Sequence, residues 1–376
     1  MAGRISRAFT SRLRSPRLTS QLGLMLGAAI GICFVTGYLS HAIQQPPWWF
    51  AWPSRPVSLY RVTQGLHVAT GLALVPLLAA KLWSVYPKLF RWPPSRDPVH
   101  AIERLSLFVL VASALFQVGS GILNISRWYA PMSFFFTVAH YWTAWAVIGA
   151  LLIHLGVKLP IIRRALTVSV RREPATAGLS RRGLLATVAT AAGLITVTTI
   201  GQTFRPFAGL SLLAIRDPRI GPQGVPINQS AVGAGVVRAA TDPAYRLEVI
   251  GPARTLQLSL DELNAMPQHV AKLPITCVEG WSADGVWSGI RLHELVAAVG
   301  GDDSSQVTVI SLQRGGYSVS VVAPPHARDP LTLLALRLHG EALHIDHGYP
   351  CRLIAPNRPG VMQTKWVRRL IVQKAL

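Results

Sequence analysis

Residues 273–296 read LPITCVEGWSADGVWSGIRLHELV, and residues 335–372 read ALRLHGEALHIDHGYPCRLIAPNRPGVMQTKWVRRLIV. Around these two blocks, LEVIG (247–251), TLQLSL (255–260), VTVISL (307–312), YSVSVVA (317–323), CRLIA (351–355) and VRRLIVQ (367–373) have strand character. LDELNAM (260–266) and RLHELVAAVG (291–300) read as short helices, the second closed by Gly300-Gly301. This mixture predicts an α+β domain over 204–376. One cysteine, Cys277, sits inside the first block.

Upstream the composition changes. Residues 1–201 carry 20 Lys/Arg against only Asp97, Glu103 and Glu173, whereas residues 202–376 carry 17 against 13. The formal net charge of +21 therefore comes mostly from an apolar, nearly acid-free first half, the signature of a membrane domain. Five stretches, near 19–43, 62–85, 103–124, 134–158 and 183–203, are apolar over the roughly 20 residues a helix needs to cross a bilayer. The first run is too long for a cleaved signal peptide, and Tyr38-Leu39-Ser40-His41 is not a small-residue cleavage site.

The expected organisation is multidomain. An all-α transmembrane helix bundle over 1–165 is followed by a basic linker and fifth span over 166–203, and then by the α+β domain over 204–376. Arg4, Arg7, Arg12, Arg14 and Arg17 precede the first span. Lys88, Arg91, Arg96 and Arg104 lie between the second and third, and Lys158, Arg163, Arg164, Arg171, Arg172, Arg181 and Arg182 between the fourth and fifth. The opposite side has Arg55, Arg61 and Arg127. The positive-inside rule then puts the N-terminus in the cytoplasm, and five spans put the C-terminal domain outside a bacterial cytoplasmic membrane. The basic runs need no nucleic acid. Trp48, Trp49, Phe50 and Trp52 in the outer loop 44–61 suit an interfacial aromatic belt.

Three histidines fall inside spans, where ionisable residues are costly and usually functional: His67 in GLHVATG, and His140 and His154 in HYWTAWAVIGALLIH. The second and fourth spans run in the same direction, and His67 and His140 lie at similar depth. Two neutral imidazoles facing each other across a bundle are the usual axial ligands of a b haem, and Gly71, one turn on, would let a porphyrin approach the backbone. His154 lies about 21 Å below His140 along the helix. The matching position of the second span holds Lys81. A second haem on His154 would take His100 or a non-histidine ligand, and His41 would serve a quinone or the outer haem. The first half resembles bacterial four-helix cytochrome b membrane subunits in pattern and spacing.

Ser180-Arg181-Arg182-Gly183-Leu184-Leu185, followed by a moderately apolar Ala/Thr-rich run, looks like an internal twin-arginine export signal. Two further positive-inside arginines are the plainer alternative. Three cysteines without paired C-x-x-C spacing exclude a disulfide-stapled scaffold, a ferredoxin-type cluster and a zinc finger. No nucleophile elbow is present. Gly and Pro usage excludes collagen-like and low-complexity chains, and the apolar half of the composition excludes disorder.

Cys-Val-Glu-Gly-Trp-Ser (277–282) and His-Gly-Tyr-Pro-Cys-Arg (347–352) with Lys365-Trp366 closely resemble the sulfite oxidase family of molybdopterin enzymes, which includes methionine-sulfoxide reductase catalytic subunits. The resemblance covers essentially the whole second half. It implies that Cys277 is the thiolate bound to molybdenum, a soft donor suited to a metal already held by dithiolene sulfurs. It implies that His347 and Arg352 hold the pterin and its phosphate, and that Gln363, Thr364 and Lys365 meet the phosphate through backbone groups and a lysine. Asn228, in VPINQSA, matches an asparagine of the N-terminal cofactor loop. Gln313 stands nearest to an acidic residue of the oxidases. Cys33 and Cys351 read as buried small hydrophobes. The short run past the WVRRLIV strand leaves no room for the family's immunoglobulin-like dimerisation domain, so dimerisation of that type is not expected.

The whole reads as a membrane-bound molybdenum oxidoreductase. It would transfer an oxygen atom to or from a small extracytoplasmic substrate and exchange electrons, through b haem, with quinone or an external carrier. Arg314, Tyr317 and Trp281 would line the substrate mouth. The expected cofactors are molybdenum-molybdopterin and one b haem, with two haems as the alternative. The expected partners are membrane lipid, the electron carrier, the substrate and the twin-arginine export machinery. Two other readings stay open: a haem-free membrane anchor and quinone platform, or a cofactor-free binding domain.

Overall fold

A computed structural model describes residues 11, 13–89, 97–167 and 179–375. Arg4, Arg7, Arg12, Arg91, Arg96, Arg171 and Arg172 of the charge argument lie outside the described residues. The chain divides into two compact units.

The first unit holds residues up to Tyr38, Leu66–Gly201 and Gly209–Ile215. Its helices belong to α1 (Pro16–Gln44), α2 (Leu59–Leu89), α3 (Pro98–Ile125), α4 (Phe136–Thr167) and α5 (Arg181–Ile200). All five are long and apolar enough to cross a membrane. Two starts have clear local causes. The Asp97 carboxylate accepts from the His100 N–H at 2.8 Å with Pro98 in the first turn, and Ser180 Oγ accepts from the Gly183 N–H at 3.0 Å. Such caps satisfy N–H groups that have no partner within the helix.

Leu18, Leu22, Ala29, Ile30, Leu74, Leu77, Val147 and Val188 form the bundle's core. Phe108, Trp142 and Leu152 stand outward and exposed. A helix apolar on both its inner and outer faces is what lipid contact requires. Two cations within the helices have partners: Lys158 pairs with Glu103, and Lys81 Nζ donates to Thr19 O at 2.7 Å.

The second unit holds Leu39–Gly65, Gln202–Ala208 and Arg216–Leu376. It carries two five-stranded sheets. The first has the order β2-β1-β10-β5-β6, from β1 (Leu247–Ile250), β2 (Thr255–Leu258), β5 (Ser305–Ser311), β6 (Val319–Val322) and β10 (Val367–Lys374). The second runs β3-β4-β7-β8 with β9 on β7, from β3 (His269–Thr276), β4 (Ser282–Arg291), β7 (Leu333–Leu338), β8 (Glu341–Ala342) and β9 (Arg352–Ile354). β5 is buried at every second residue, as a half-covered strand requires, whereas β9 is buried throughout.

The β3–β4 hairpin gave no strand signal in the sequence, because Pro274, Gly285 and Gly289 interrupt it. Gly289 has a steric reason: a Cβ there would lie 2.0 Å from Leu334 O on β7. It also follows a register shift in the β4–β7 ladder.

The segment between α1 and α2 belongs to the second unit, and this corrects the aromatic-belt expectation for Trp52. Trp48 is 97% exposed. Trp52 Nε1, however, donates to Asn357 O at 2.8 Å. The Asn357 side chain returns the bond, donating to Pro53 O at 2.6 Å, and Arg55 grips Asp329 with two bonds of 2.9 Å.

Candidate functional site

Cys277 lies at the tip of the β3–β4 hairpin, 4% exposed. The Cys277 N–H donates to Trp281 O at 2.8 Å and the Gly280 N–H donates to Cys277 O at 3.0 Å. Gly280 has φ of +96°, the left-handed region that lets so tight a loop close. Asn228 Nδ2 donates to the sulfur at 3.0 Å and the Glu279 N–H at 3.4 Å. Asn228 Oδ1 accepts from Trp281 Nε1 at 3.2 Å and Arg216 at 3.3 Å, which turns its NH2 toward the sulfur. Burial, with the Glu279 charge beside it, pushes the bare thiol up to about 12.

A second cluster surrounds Arg352, 4% exposed. Its guanidinium donates to His347 O and Gln363 O, each at 3.0 Å, and stacks 5.1 Å from the Trp287 ring. Its Nε is buried with no partner. His347 Nε2 donates to Pro222 O at 2.6 Å, and burial followed by the Arg352 charge holds the imidazole neutral, down to about 4. Lys365 Nζ donates to Gln229 O and to Asp346 O, and burial lowers it to about 7.

The expectation for Gln363 and Thr364 was contact through backbone groups, and their side chains are engaged elsewhere. The Gln363 amide closes both ways on the Ala355 backbone, at 2.8 and 2.7 Å, and Thr364 Oγ1 pairs with Ser320 Oγ at 2.6 Å. Their side chains brace the loop after β9. Trp281 is buried against Asn228, Arg314 is exposed, and Gln313 closes its own turn onto Gly316 O. Tyr317, with φ of +64°, is half-exposed and within electrostatic reach of Cys277. Sequence reasoning missed Arg358. It is 5% exposed, donates to Val321 O at 2.7 Å, and has Nη1 buried without a partner. Its signal was a lone cation in an otherwise uncharged run, APNRPG.

The family described as "Oxidoreductase molybdopterin binding domain" matches residues 234–375. Residues 234–375 are a molybdopterin-binding domain of the sulfite oxidase type. The chain is 32% identical to the "Putative protein-methionine-sulfoxide reductase subunit YedZ1" of Azospira oryzae, over 37% of this chain and 53% of that one. It is 30% identical to the mitochondrial sulfite oxidase of Drosophila melanogaster, over 34% of this chain and 27% of that one. It is 28% identical to the "Uncharacterized oxidoreductase YuiH" of Bacillus subtilis, over 38% of this chain and 76% of that one. The chain thus spans about half of the first relative and about a quarter of the second.

The molybdopterin domain's residues fit the cofactor. Arg352 and Arg358 are buried cations that donate to backbone carbonyls, and each keeps an unpartnered nitrogen. Burying such charge without an anion is costly, so an anionic phosphate is the natural complement. A thiol so hard to ionise alone would be held as thiolate by a metal cation. Cys277 would hold molybdenum, and Arg352, Lys365 and His347 would hold the pterin end.

If Lys365 meets the phosphate, as the resemblance implies, cofactor binding depends on pH. With its pKa lowered to about 7, the free site binds an anion best below that value. Phosphate raises the pKa of the bound lysine. Cofactor affinity therefore falls by up to about tenfold per pH unit as pH rises above 7, until the bound pKa is passed. Reconstitution of cofactor-free protein across pH 6–9 reads this directly, and Lys365→Arg flattens the profile.

In the first unit, the His67 and His140 rings face each other with centroids 6.3 Å apart and planes at 71°. Two imidazoles on one iron place their centroids about 6 Å apart. His67 Nδ1 is bonded to Cys33 O at 3.0 Å and Thr36 Oγ1 at 3.2 Å, and His140 Nδ1 to Ser120 Oγ at 3.0 Å. With Nδ1 tied on each ring, Nε2 is the nitrogen left for a ligand. A Cβ at Gly37 would lie 2.9 Å from His67 Cε1, so that glycine seats the ring; a Cβ at Gly71 would meet only Cys33 Sγ, at 3.9 Å. His154 has Lys81 and Lys158 in its surroundings, and its Nδ1 is buried without a partner.

Proposed function

We propose that this chain is a membrane-bound molybdenum oxidoreductase that moves an oxygen atom to or from a small extracytoplasmic substrate. His67 and His140 would hold a b haem, which would supply one-electron exchange with quinone or an external carrier. The observation that carries the haem half is the facing His67–His140 pair, each Nδ1 bonded to a neighbouring helix. When bound, the molybdenum cofactor supplies a two-electron redox centre with an exchangeable oxygen.

The protein's own contributions are local. Cys277 supplies the thiolate, and Asn228 and the Glu279 N–H stabilise its negative charge. Arg352 and Lys365 neutralise the phosphate, and Trp287 stacks beneath Arg352. Tyr317, 48% exposed, stands within electrostatic reach of the sulfur. One haem on His67 and His140 is the primary expectation; a second, on His154, would need a partner from elsewhere, since Lys81 stands at the matching position.

The N-terminus lies in the cytoplasm and the molybdopterin domain outside, in keeping with the distribution of Lys and Arg. Arg181-Arg182 acts as a twin-arginine signal, exporting a domain that acquires its cofactor before crossing. Ser180, the residue before the pair, also has a purely local role as the α5 cap.

Membranes carrying the full chain should hold molybdenum and about one b haem per chain, the count expected of one bis-imidazole site. Dithionite reduction should give a b-type difference band that disappears in His67→Ala and in His140→Ala. Persistence of the band in the double variant would rule out this ligand pair. In spheroplasts protease should reach the C-terminal domain, and Arg181→Lys with Arg182→Lys should leave it protected inside.

A further inference from the structure

The weaker of the two donors to the Cys277 sulfur, the Glu279 N–H at 3.4 Å, belongs to the peptide joining Val278 to Glu279. A trans peptide is planar, and its C=O and N–H point in opposite directions. The carbonyl of that peptide, Val278 O, accepts from Gln64 Nε2 at 2.8 Å. Holding the carbonyl on one side fixes the N–H on the other, toward the sulfur.

Three more bonds anchor the same turn. Thr203 Oγ1 donates to Gly280 O. The Ser282 N–H donates to Gln202 O at 2.8 Å, and Arg61 Nε donates to Ser282 Oγ at 2.8 Å. Gln64 is itself oriented: the Tyr60 hydroxyl donates to its Oε1 at 3.5 Å, and the Tyr60 N–H donates to Asn357 Oδ1 at 2.6 Å. Gln64 is 4% exposed. Arg61, Gln64, Gln202 and Thr203 all lie outside the family-matched segment 234–375. The loop that bears the thiolate is therefore held by residues the molybdopterin domain does not itself contain.

We propose that Gln64 is a positioning residue for the metal centre: through the Val278–Glu279 peptide it aims an N–H at the Cys277 sulfur and so raises the metal's reduction potential. The proposal rests on the reading of Cys277 as the molybdenum ligand. Hydrogen bonds to a ligating sulfur draw charge from it and favour the more electron-rich, reduced state of the metal. Loss of the Gln64 donor frees the peptide to rotate, weakens the N–H···S bond and moves the potential down. A residue that merely packed the loop would leave the potential where it was.

The test uses the full chain in detergent, with Gln64→Met, which keeps the length and removes the donor. Arg55→Ala is the control: it breaks the Asp329 pair on the same outer segment and touches nothing near the sulfur. Molybdenum content is measured first, followed by a potentiometric titration of the Mo(V) paramagnetic signal. Gln64→Met should retain molybdenum, shift the midpoint to more negative potential and alter the g-values, while Arg55→Ala should match wild type. If Gln64→Met does not accumulate, Gln64→Asn, which withdraws the donor by one methylene, should show the same shift in smaller size. A loaded variant with wild-type midpoint and spectrum overturns the proposal, as does an equal shift in Arg55→Ala. Wild-type protein without molybdenum overturns the underlying reading instead, and that outcome is distinguished by the metal analysis alone.

Discussion

Cys277→Ser should leave the C-terminal unit folded and reduce oxygen-atom transfer by more than about 100-fold, the upper range for disturbing a metal's surroundings even one shell further out. Serine is nearly the same size, so the 4% exposed position stays filled and the Cys277 N–H to Trp281 O bond survives. The donor changes in kind. An alkoxide is harder than a thiolate and a serine hydroxyl far less acidic, so the match to a sulfur-ligated metal is lost. Asn228 Nδ2 and the Glu279 N–H would then face an oxygen with a shorter reach than the sulfur they approach at 3.0 and 3.4 Å. Molybdenum content, the Mo(V) spectrum and turnover, measured together, separate loss of chemistry from loss of cofactor. Wild-type turnover in a molybdenum-loaded Cys277→Ser protein would falsify the assignment of the metal ligand.

Trp287→Ala should destabilise the second unit by about 3–5 kcal/mol and shed the cofactor with it. Trp287 is fully buried on β4, and its Nε1 donates to Leu273 O at 3.2 Å. It fills the cluster that also contains Leu273, Ile275, Cys277, Trp281 and Leu333. The ring packs over Gly285, where a Cβ would lie 2.6 Å from its Nε1, so neither partner can change alone. Above it lies the Arg352 guanidinium at 5.1 Å. Truncation leaves a cavity under a buried cation and removes the indole's bond to Leu273 O. Thermal unfolding of the full chain in detergent, followed by the released pterin's fluorescence, reads both effects in one scan. An unchanged midpoint with full cofactor retention would show that the cluster closes around the void.

These two variants mark different degrees of legibility. The molybdopterin-binding domain was readable from the frame around Cys277, because that frame resembles one of a known family. The five spans were readable because a bilayer demands a long run of apolar residues whatever they pack against. His67 and His140 stood out because an imidazole inside such a run is costly. The β3–β4 hairpin that presents Cys277 was not readable. Pro274 and the glycines, present for close backbone approach, hide its alternation. Arg358 and Trp287 were not singled out, since a lone cation or tryptophan acquires meaning only when its neighbours in space are known. What the Gln363 side chain does was not readable either: its amide closes on the Ala355 backbone, a partner eight residues away that the fold brings close.

Composition, charge asymmetry and the Cys277 frame determined by themselves that this is a membrane chain with a molybdopterin-type domain, since each reflects local chemistry that every residue obeys independently. Only the tertiary structure decided that Gln64, Arg61, Gln202 and Thr203 hold the Cys277 loop, and that residues 39–65 belong with the catalytic unit. Gln64 and Val278 are 214 positions apart along the chain. A hydrogen bond between such residues leaves no periodicity or motif, because its partners are chosen by the fold and not by the neighbouring sequence.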